Sequence, residues 1–250
     1  VAKLERAVRF VLRSTGASSL AFVGYSMGAT LSGIHAALHP ETAAALVNLA
    51  GPFDFDLAGG LRLLADRRWF NTDAITSAGN VSQAQIQSGI LALSPTEPVG
   101  KWVRIAEQWH DPSARAGFAA LEKWAAEDVS FPAAAYGTYV KELYQQNQLI
   151  RGEHRVRGKV VDLSRITCPV LTIAADRDVV CPRNAAIALN AAVRSNVKDI
   201  LDVPGGHVGA VVGTQAARTL YPPLKSWLTQ YAKIASGLGG TSGSPQNLRF

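Results

Sequence analysis

The chain has 250 residues, 48% hydrophobic and 18% charged, with two cysteines and a formal net charge of +6 at pH 7. That composition suits one globular domain with a sizeable core, and no apolar run approaches the roughly 18 residues that a membrane-spanning helix needs. Two cysteines make no disulfide framework and favour a reducing, cytoplasmic setting, while the basic excess suits an anionic small molecule and comes with no nucleic-acid recognition motif.

Val1, Leu4, Val8, Val11 and Leu12 recur at helical spacing among Lys3, Glu5, Arg6, Arg9 and Arg13, which predicts an amphipathic first helix. Leu20-Ala21-Phe22-Val23 then reads as a strand and Ala29 to Leu38 as a helix, with Gly24-Tyr25-Ser26-Met27-Gly28 between them. A Gly-x-Ser-x-Gly segment between strand and helix is the nucleophile elbow of the α/β-hydrolase fold. Its tight turn holds the serine hydroxyl above the sheet on a strained backbone, and flanking glycines keep other side chains out of the turn. Ser26 is therefore the candidate nucleophile. The helix beginning at Met27 aims its first backbone amides and its positive dipole end at charge developing beside Ser26, which makes the Met27 N–H a candidate oxyanion donor.

Ala45 to Ala50 predicts the next strand and Val170 to Ala174 the one after it. The interval from Gly51 to Val161 is too long for a simple connection. It holds Trp69, Trp102, Trp109 and Trp124 in helical patterns broken by Pro95, Pro98, Pro112 and Pro132, and reads as a helical cap inserted over Ser26, its aromatics either lining an apolar acyl channel or, the commoner use, packed inside the cap. Beyond it lie a loop carrying Asp176 and Asp178, a helix from Arg183 to Val193, a strand over Ile200 to Val203, and the loop Pro204-Gly205-Gly206-His207-Val208-Gly209. One closing helix is expected from Thr214 to Tyr231. The chain thus divides into an elbow part at 1–50, a cap at 51–161, a second core part at 162–235, and a Gly- and Ser-rich tail at 236–250 that is expected to be disordered.

A serine hydroxyl needs a histidine base and an acid to orient that base, in the chain order Ser, Asp or Glu, His. Of five histidines, only His207 follows a strand in a glycine-rich loop from which the imidazole could reach Ser26. His35 lies within the elbow helix, His39 reads as a cap at its end, and His110 and His154 read as solvated. Asp176 and Asp178 both occupy the right loop for the acid. Cys168 and Cys181 lack elbow context and read as small packing residues, and Arg151, Arg155, Arg157 and Lys159 read as a solvated turn. The chain has no Walker loop, Gly-x-Gly-x-x-Gly, His-Glu-x-x-His or Cys-x-x-Cys segment, so no nucleotide, dinucleotide or metal cofactor is expected.

From Leu20 to about Leu228 the chain resembles the catalytic subunit of polyhydroxyalkanoate synthases, most nearly the two-subunit class III type. The resemblance rests on the elbow together with Ala36-Ala37-Leu38-His39-Pro40, Gly51-Pro52-Phe53-Asp54-Phe55 and Tyr144-Gln145-Gln146-Asn147-Gln148-Leu149. It continues through Gly158 to Val170 and the His207 loop. It implies an acyltransferase acting on 3-hydroxyacyl-CoA thioesters, and it selects Asp178, four residues before Pro182, as the acid. It also implies, as partners, a second synthase subunit or a homodimer and the surface of a polymer granule. Those synthases carry a cysteine where this chain has Ser26. An acyl group on serine is an oxoester, which suits transfer to an alcohol or to water, so a serine esterase or polyester depolymerase is the alternative expectation and a non-catalytic synthase-associated subunit a third.

An α/β-hydrolase fold normally places several strands before the elbow, yet one helix and one strand precede Ser26. The expectation is a C-terminal portion of a longer protein. The early strands and the loop carrying a second oxyanion amide would then lie outside it, leaving the strand through Phe22 as an apolar edge, with weak activity and poor solubility unless another segment covers it.

Overall fold

In the computed structural model, the described residues are 1–232 apart from 94, 96, 127, 128 and 213. The tail expected at 236–250 lies outside them. The first helix, α1 (Ala2–Thr15), leads into strand β1 (Leu20–Tyr25), helix α2 (Met27–Leu38) and strand β2 (Ala43–Leu49). Six short helices follow: α3 (Gly59–Leu64), α4 (Thr72–Ser77), α5 (Gln83–Leu91), α6 (Glu97–Glu107), α7 (Pro112–Ala126) and α8 (Ala133–Thr138). A π-helical segment (Tyr139–Gln145) and a small hairpin, β3 (Arg155–Val156) and β4 (Lys159–Val160), bring the chain back to the sheet. It closes with β5 (Val170–Ala175), α9 (Arg183–Ala192), β6 (Lys198–Val203), α10 (Thr214–Thr219) and α11 (Tyr221–Tyr231).

The main sheet is parallel in the order β1-β2-β5-β6. Its central strands are covered on both faces, so β5 is buried at every residue and β2 at its last five, whereas β6 at the edge alternates. Leu46 and Val170 face a core built with Val8, Ile34, Phe53 and Leu189, while Val47, Leu49, Leu171 and Ile173 face a second core closed by Leu224 and Trp227. Helices thus cover both faces, as the α/β-hydrolase reading requires. Val1, just before α1, and Leu4, Val8 and Leu12 within it join the first core, but Val11 is exposed.

The single closing helix expected over Thr214 to Tyr231 is two helices. Pro222 and Pro223 sit in the first turn of α11, where they offer no N–H to a preceding turn and so start a new helix instead of continuing α10.

The segment Tyr144 to Leu149 ties the helical insertion to the sheet. Gln145 donates its amide hydrogens to the carbonyls of Ala65 (2.8 Å) and Phe70 (3.2 Å). Asn147, buried and left-handed at φ 50°, donates to Asp54 (2.8 Å) and Asp56 (2.9 Å) and accepts from the Phe55 N–H (2.9 Å). The Asp54–Phe55 turn lies on the segment leaving β2, so one asparagine joins the end of the insertion to its beginning beside the sheet. Asn147→Ala removes all three bonds, orphans the buried Phe55 N–H and puts a less tolerant residue in the left-handed region. It is expected to lower unfolding free energy by about 2 kcal/mol, read as a reduced urea midpoint at unchanged slope.

Candidate active site

Ser26 sits between β1 and α2 at φ 53° and ψ −126°, a backbone conformation costly for a residue with a Cβ. Its N–H donates to Leu49 O (2.8 Å), which pins the turn to the neighbouring strand. The two glycines of the motif differ in their need. A Cβ on Gly24 would lie 2.4 Å from Ala29 Cα, inside the backbone of α2, whereas a Cβ on Gly28 would meet nothing within 4 Å. The steric reason expected for both glycines therefore holds at Gly24 alone.

Ser26, His207 and Asp178 form one hydrogen-bonded chain. His207 Nε2 lies 2.9 Å from Ser26 Oγ, and His207 Nδ1 lies 2.7 Å from Asp178 Oδ2. With the Nδ1 proton donated to the carboxylate, Nε2 is left as acceptor for the serine proton, a tautomer assigned from the network. The Asp178 side chain is fully shielded from solvent and the His207 ring nearly so. The second Asp178 oxygen accepts the N–H groups of Val180 (2.9 Å) and Cys181 (2.8 Å), so the loop itself holds the acid in place.

Asp176 is directed elsewhere. It is about half exposed, accepts the Gly205 N–H at 2.7 Å and pairs with Arg177. With Arg177 N donating to Gly205 O (3.0 Å), it laces the acid loop to the histidine loop. Tyr25, the variable residue before Ser26, stacks on His207 with ring centroids 5.1 Å apart and donates its hydroxyl to His207 O (3.0 Å). Burial, and then the Asp178 charge, push the Tyr25 phenol up, so it remains a donor. Sequence reasoning missed Tyr25; its only signal was an aromatic at a motif position that accepts any residue.

Met27 opens α2, with its backbone N–H in the first turn, and lines the same cavity as Ser26. The other histidines lie apart. His35 is buried beside Phe22 and His39, and desolvation, followed by the nearby His39, holds it below the ordinary imidazole range. His39 ends α2 facing Glu5 and Glu41, and His110 is exposed. His154, expected in solvent, is buried, with Nδ1 2.8 Å from Glu142, because the hairpin β3–β4 folds it under the π-helical segment. Burial pushes the Cys168 thiol up to about 11 and that of Cys181 higher still, so both behave as packing residues. In the basic cluster, Arg151 pairs with Asp56, and Arg157-Gly158 forms the hairpin turn.

A cavity of about 760 Å³ opens beside Ser26 and Met27 under the helical insertion. Three of the tryptophans expected inside the cap do not fill it: Trp69, Trp102 and Trp109 are more than half exposed and line none of the cavity, and the side chain of Trp124 lies outside those described. Phe70, Phe131, Tyr136, Tyr139 and Tyr144 line it instead. The π-helical segment accounts for two of these. Bonding at i→i+5 turns Tyr139 and Tyr144 to one side, where their rings meet at 5.6 Å and each stands edge-on to Phe55. Among the described residues, no cluster of metal-ligating side chains occurs and no helix is long and apolar enough to cross a membrane.

The family described as alpha/beta hydrolase fold matches residues 1–214. Among curated relatives, the poly(3-hydroxyalkanoate) polymerase subunit PhaC of Haloferax mediterranei is 30% identical over 98% of this chain and 49% of its own length. PhaC of Allochromatium vinosum is 30% identical over 91% and 64% respectively. The chain thus spans about half to just under two thirds of these relatives, and their identity bears out the synthase resemblance read from the motifs. Among solved structures, Paleococcus ferrophilus monoacylglycerol lipase aligns at a TM-score of 0.54 with 15% identity, covering 91% of this chain and 75% of that one. A hydrolase from Pseudomonas aeruginosa PA01 aligns at 0.52 with 16% identity, covering 93% and 72%. Both show the fold.

The elbow sterics make a direct test. Gly24→Ala drives a methyl into α2 and is expected to cost about 3 kcal/mol or more. Gly28→Ala, with open space and better helix propensity, is expected to leave the thermal midpoint unchanged or slightly raised; thermal unfolding followed by circular dichroism compares the two.

Proposed function

The chain belongs to the α/β-hydrolase family, and on that premise we propose that it is a polyhydroxyalkanoate-synthase-like acyltransferase that carries 3-hydroxyacyl groups on Ser26. The observation that carries the reading is the unbroken hydrogen-bonded chain from Asp178 through His207 to Ser26 beside an apolar cavity. The names of the PhaC relatives, poly(3-hydroxyalkanoate) polymerase subunits, support 3-hydroxyacyl units as the substrate class, and the synthase resemblance implies that these arrive as CoA thioesters.

In the first half-reaction, His207 Nε2 takes the Ser26 proton as Oγ bonds to the thioester carbonyl carbon, and the Met27 N–H faces the resulting oxyanion. Collapse breaks the carbon–sulfur bond, CoA leaves as the thiol with the proton from His207, and an oxoester remains on Ser26. In the second, the 3-hydroxyl of another 3-hydroxyacyl-CoA gives its proton to His207 and attacks that ester. Ser26 Oγ leaves with the proton, and the chain is one unit longer on CoA. Each acyl movement is thioester to ester or ester to ester, so the serine never has to return a chain to a thiol. Asp178 orients the imidazole and stabilises its charged form, while Tyr25 fixes the ring face.

Hydrolysis is the second reading, and the serine itself favours it: water can take the place of the acceptor hydroxyl at the same acyl-enzyme. Incubation with 3-hydroxyacyl-CoA thioesters, with CoA release followed and products separated into oligomer and free acid, decides between them. Oligomer is the expected product; free acid alone would make the chain a hydrolase, and no CoA release would overturn the acyl-transfer reading. Ser26→Ala is expected to reduce CoA release at least about a thousandfold, and Asp178→Asn by about 10⁴. Asp176→Asn, which loosens a loop contact without touching His207, is expected to cost less than about tenfold.

A further inference from the structure

The cavity beside Ser26 is far larger than a short acyl group needs. A benzene-sized ligand fits a void of about 150 Å³, so a 3-hydroxybutyryl group, with a similar number of heavy atoms, would occupy roughly a fifth of the available space. The core contributes Ser26, Met27 and Val180 to the wall, and the helical insertion supplies the rest. That remainder is mostly apolar, with Leu61 and Leu64 on α3, Ile75 on α4, and Ile86 and Ile90 on α5, and its polar members are Gln83, Gln85, Ser88 and Ser130 together with the tyrosine hydroxyls. The bridge between Val81 and Phe131, with bonds of 2.9 and 2.7 Å, closes this part of the cap on itself and fixes the cavity's shape.

We propose that this cavity holds the alkyl tail of a medium-chain acyl donor, about eight to twelve carbons long, and that such donors are preferred over 3-hydroxybutyryl groups. The inference rests on the acyl-transfer reading for its donor chemistry, but the tail site stands on the cavity alone. Each methylene moved from water into an apolar pocket favours binding by about fourfold, so an aliphatic wall rewards length. A run of short polyester units would fill the same volume less well, because each ester carbonyl placed against Leu61, Ile75 or Ile86 would lose its water without gaining a donor. Leu64 and Ile90 line the cavity and remain partly exposed, so the wall continues to the surface and sets no abrupt upper length.

Gly89 provides a gauge. It shares the cavity-facing side of α5 with Ile86 and Ile90, and a Cβ built on it meets no atom within 4 Å. A large side chain there projects into the void while leaving the helix backbone undisturbed, and replacing glycine within a helix favours folding.

The test is calorimetric titration of the protein with 3-hydroxydecanoate and with 3-hydroxybutyrate, on the wild type and on Gly89→Phe, with Gly89→Ala as a folding control. The expected result is at least tenfold tighter binding of the ten-carbon acid by the wild type and by Gly89→Ala, and at least a tenfold loss of that affinity in Gly89→Phe. Equal affinity for the two acids, or an unchanged ten-carbon affinity in Gly89→Phe, would overturn the tail site. CoA release from the matching thioesters keeps the two claims apart. A length preference in binding with no CoA release at any length would sink the acyl-transfer reading alone; release that is fastest with the four-carbon donor, and no preference in binding, would sink the tail site alone.

Discussion

Strand β1 and helix α2 approach so closely that Gly24 has no room for a side chain against Ala29, and Ser26 takes up the difference in a left-handed backbone. This contact sets the geometry on which the site depends. The direction of the Ser26 hydroxyl, the exposure of the first amides of α2 and the facing of Tyr25 all follow from a turn with one steric solution. The bond from Ser26 N to Leu49 O carries the constraint into β2, so Ser26 moves only if the sheet moves.

Opposite that turn, two loops that follow β5 and β6 act as one piece. Parallel pairing of Ala174 with Asp202 and Ala175 with Val203 brings the ends of the two strands level, and the Asp176–Gly205 contact joins the loops just beyond them. Asp178 is then held by its own loop amides and His207 by Asp178, while Tyr25 returns from the elbow to stack on the imidazole. The three hydrogen-bonded residues are therefore held in place before any ligand binds, which is the pre-organisation that the proposed chemistry would draw on.

The helical insertion depends on the same core through a few residues. Asn147 bonds to the turn after β2, Gln145 to the start of the insertion, and Phe55 packs against Tyr139 and Tyr144. The π-helical turn between Tyr139 and Gln145 aims two rings at the cavity that an α-helix would have splayed apart. The motif Tyr144 to Leu149, a signature of resemblance at the level of sequence, thus has a mechanical meaning. It fixes the roof over Ser26.

Much of this was legible in the residues. A glycine-flanked serine after an apolar strand, and a histidine in a glycine-rich loop after another, are short patterns whose backbone sterics act locally, so Ser26 and His207 could be read as candidates, and the fold class with them, before the sheet order was known. Asp176 and Asp178 could not be separated by spacing, being two residues apart in one loop; burial and the meeting with His207 separate them. Trp69, Trp102 and Trp109, read as cap interior, proved exposed, and His154, read as solvated, proved buried, because burial depends on which distant surfaces meet. Tyr25 carried only the weak signal of an aromatic at a variable motif position, since its partner lies 182 residues away. Local sterics and hydrophobic period thus determined the elements and the two residues that must sit in special turns, whereas the cavity and the acid, with its neighbours, were decided only when packing brought residues such as Ser26 and His207, 181 positions apart, within 2.9 Å.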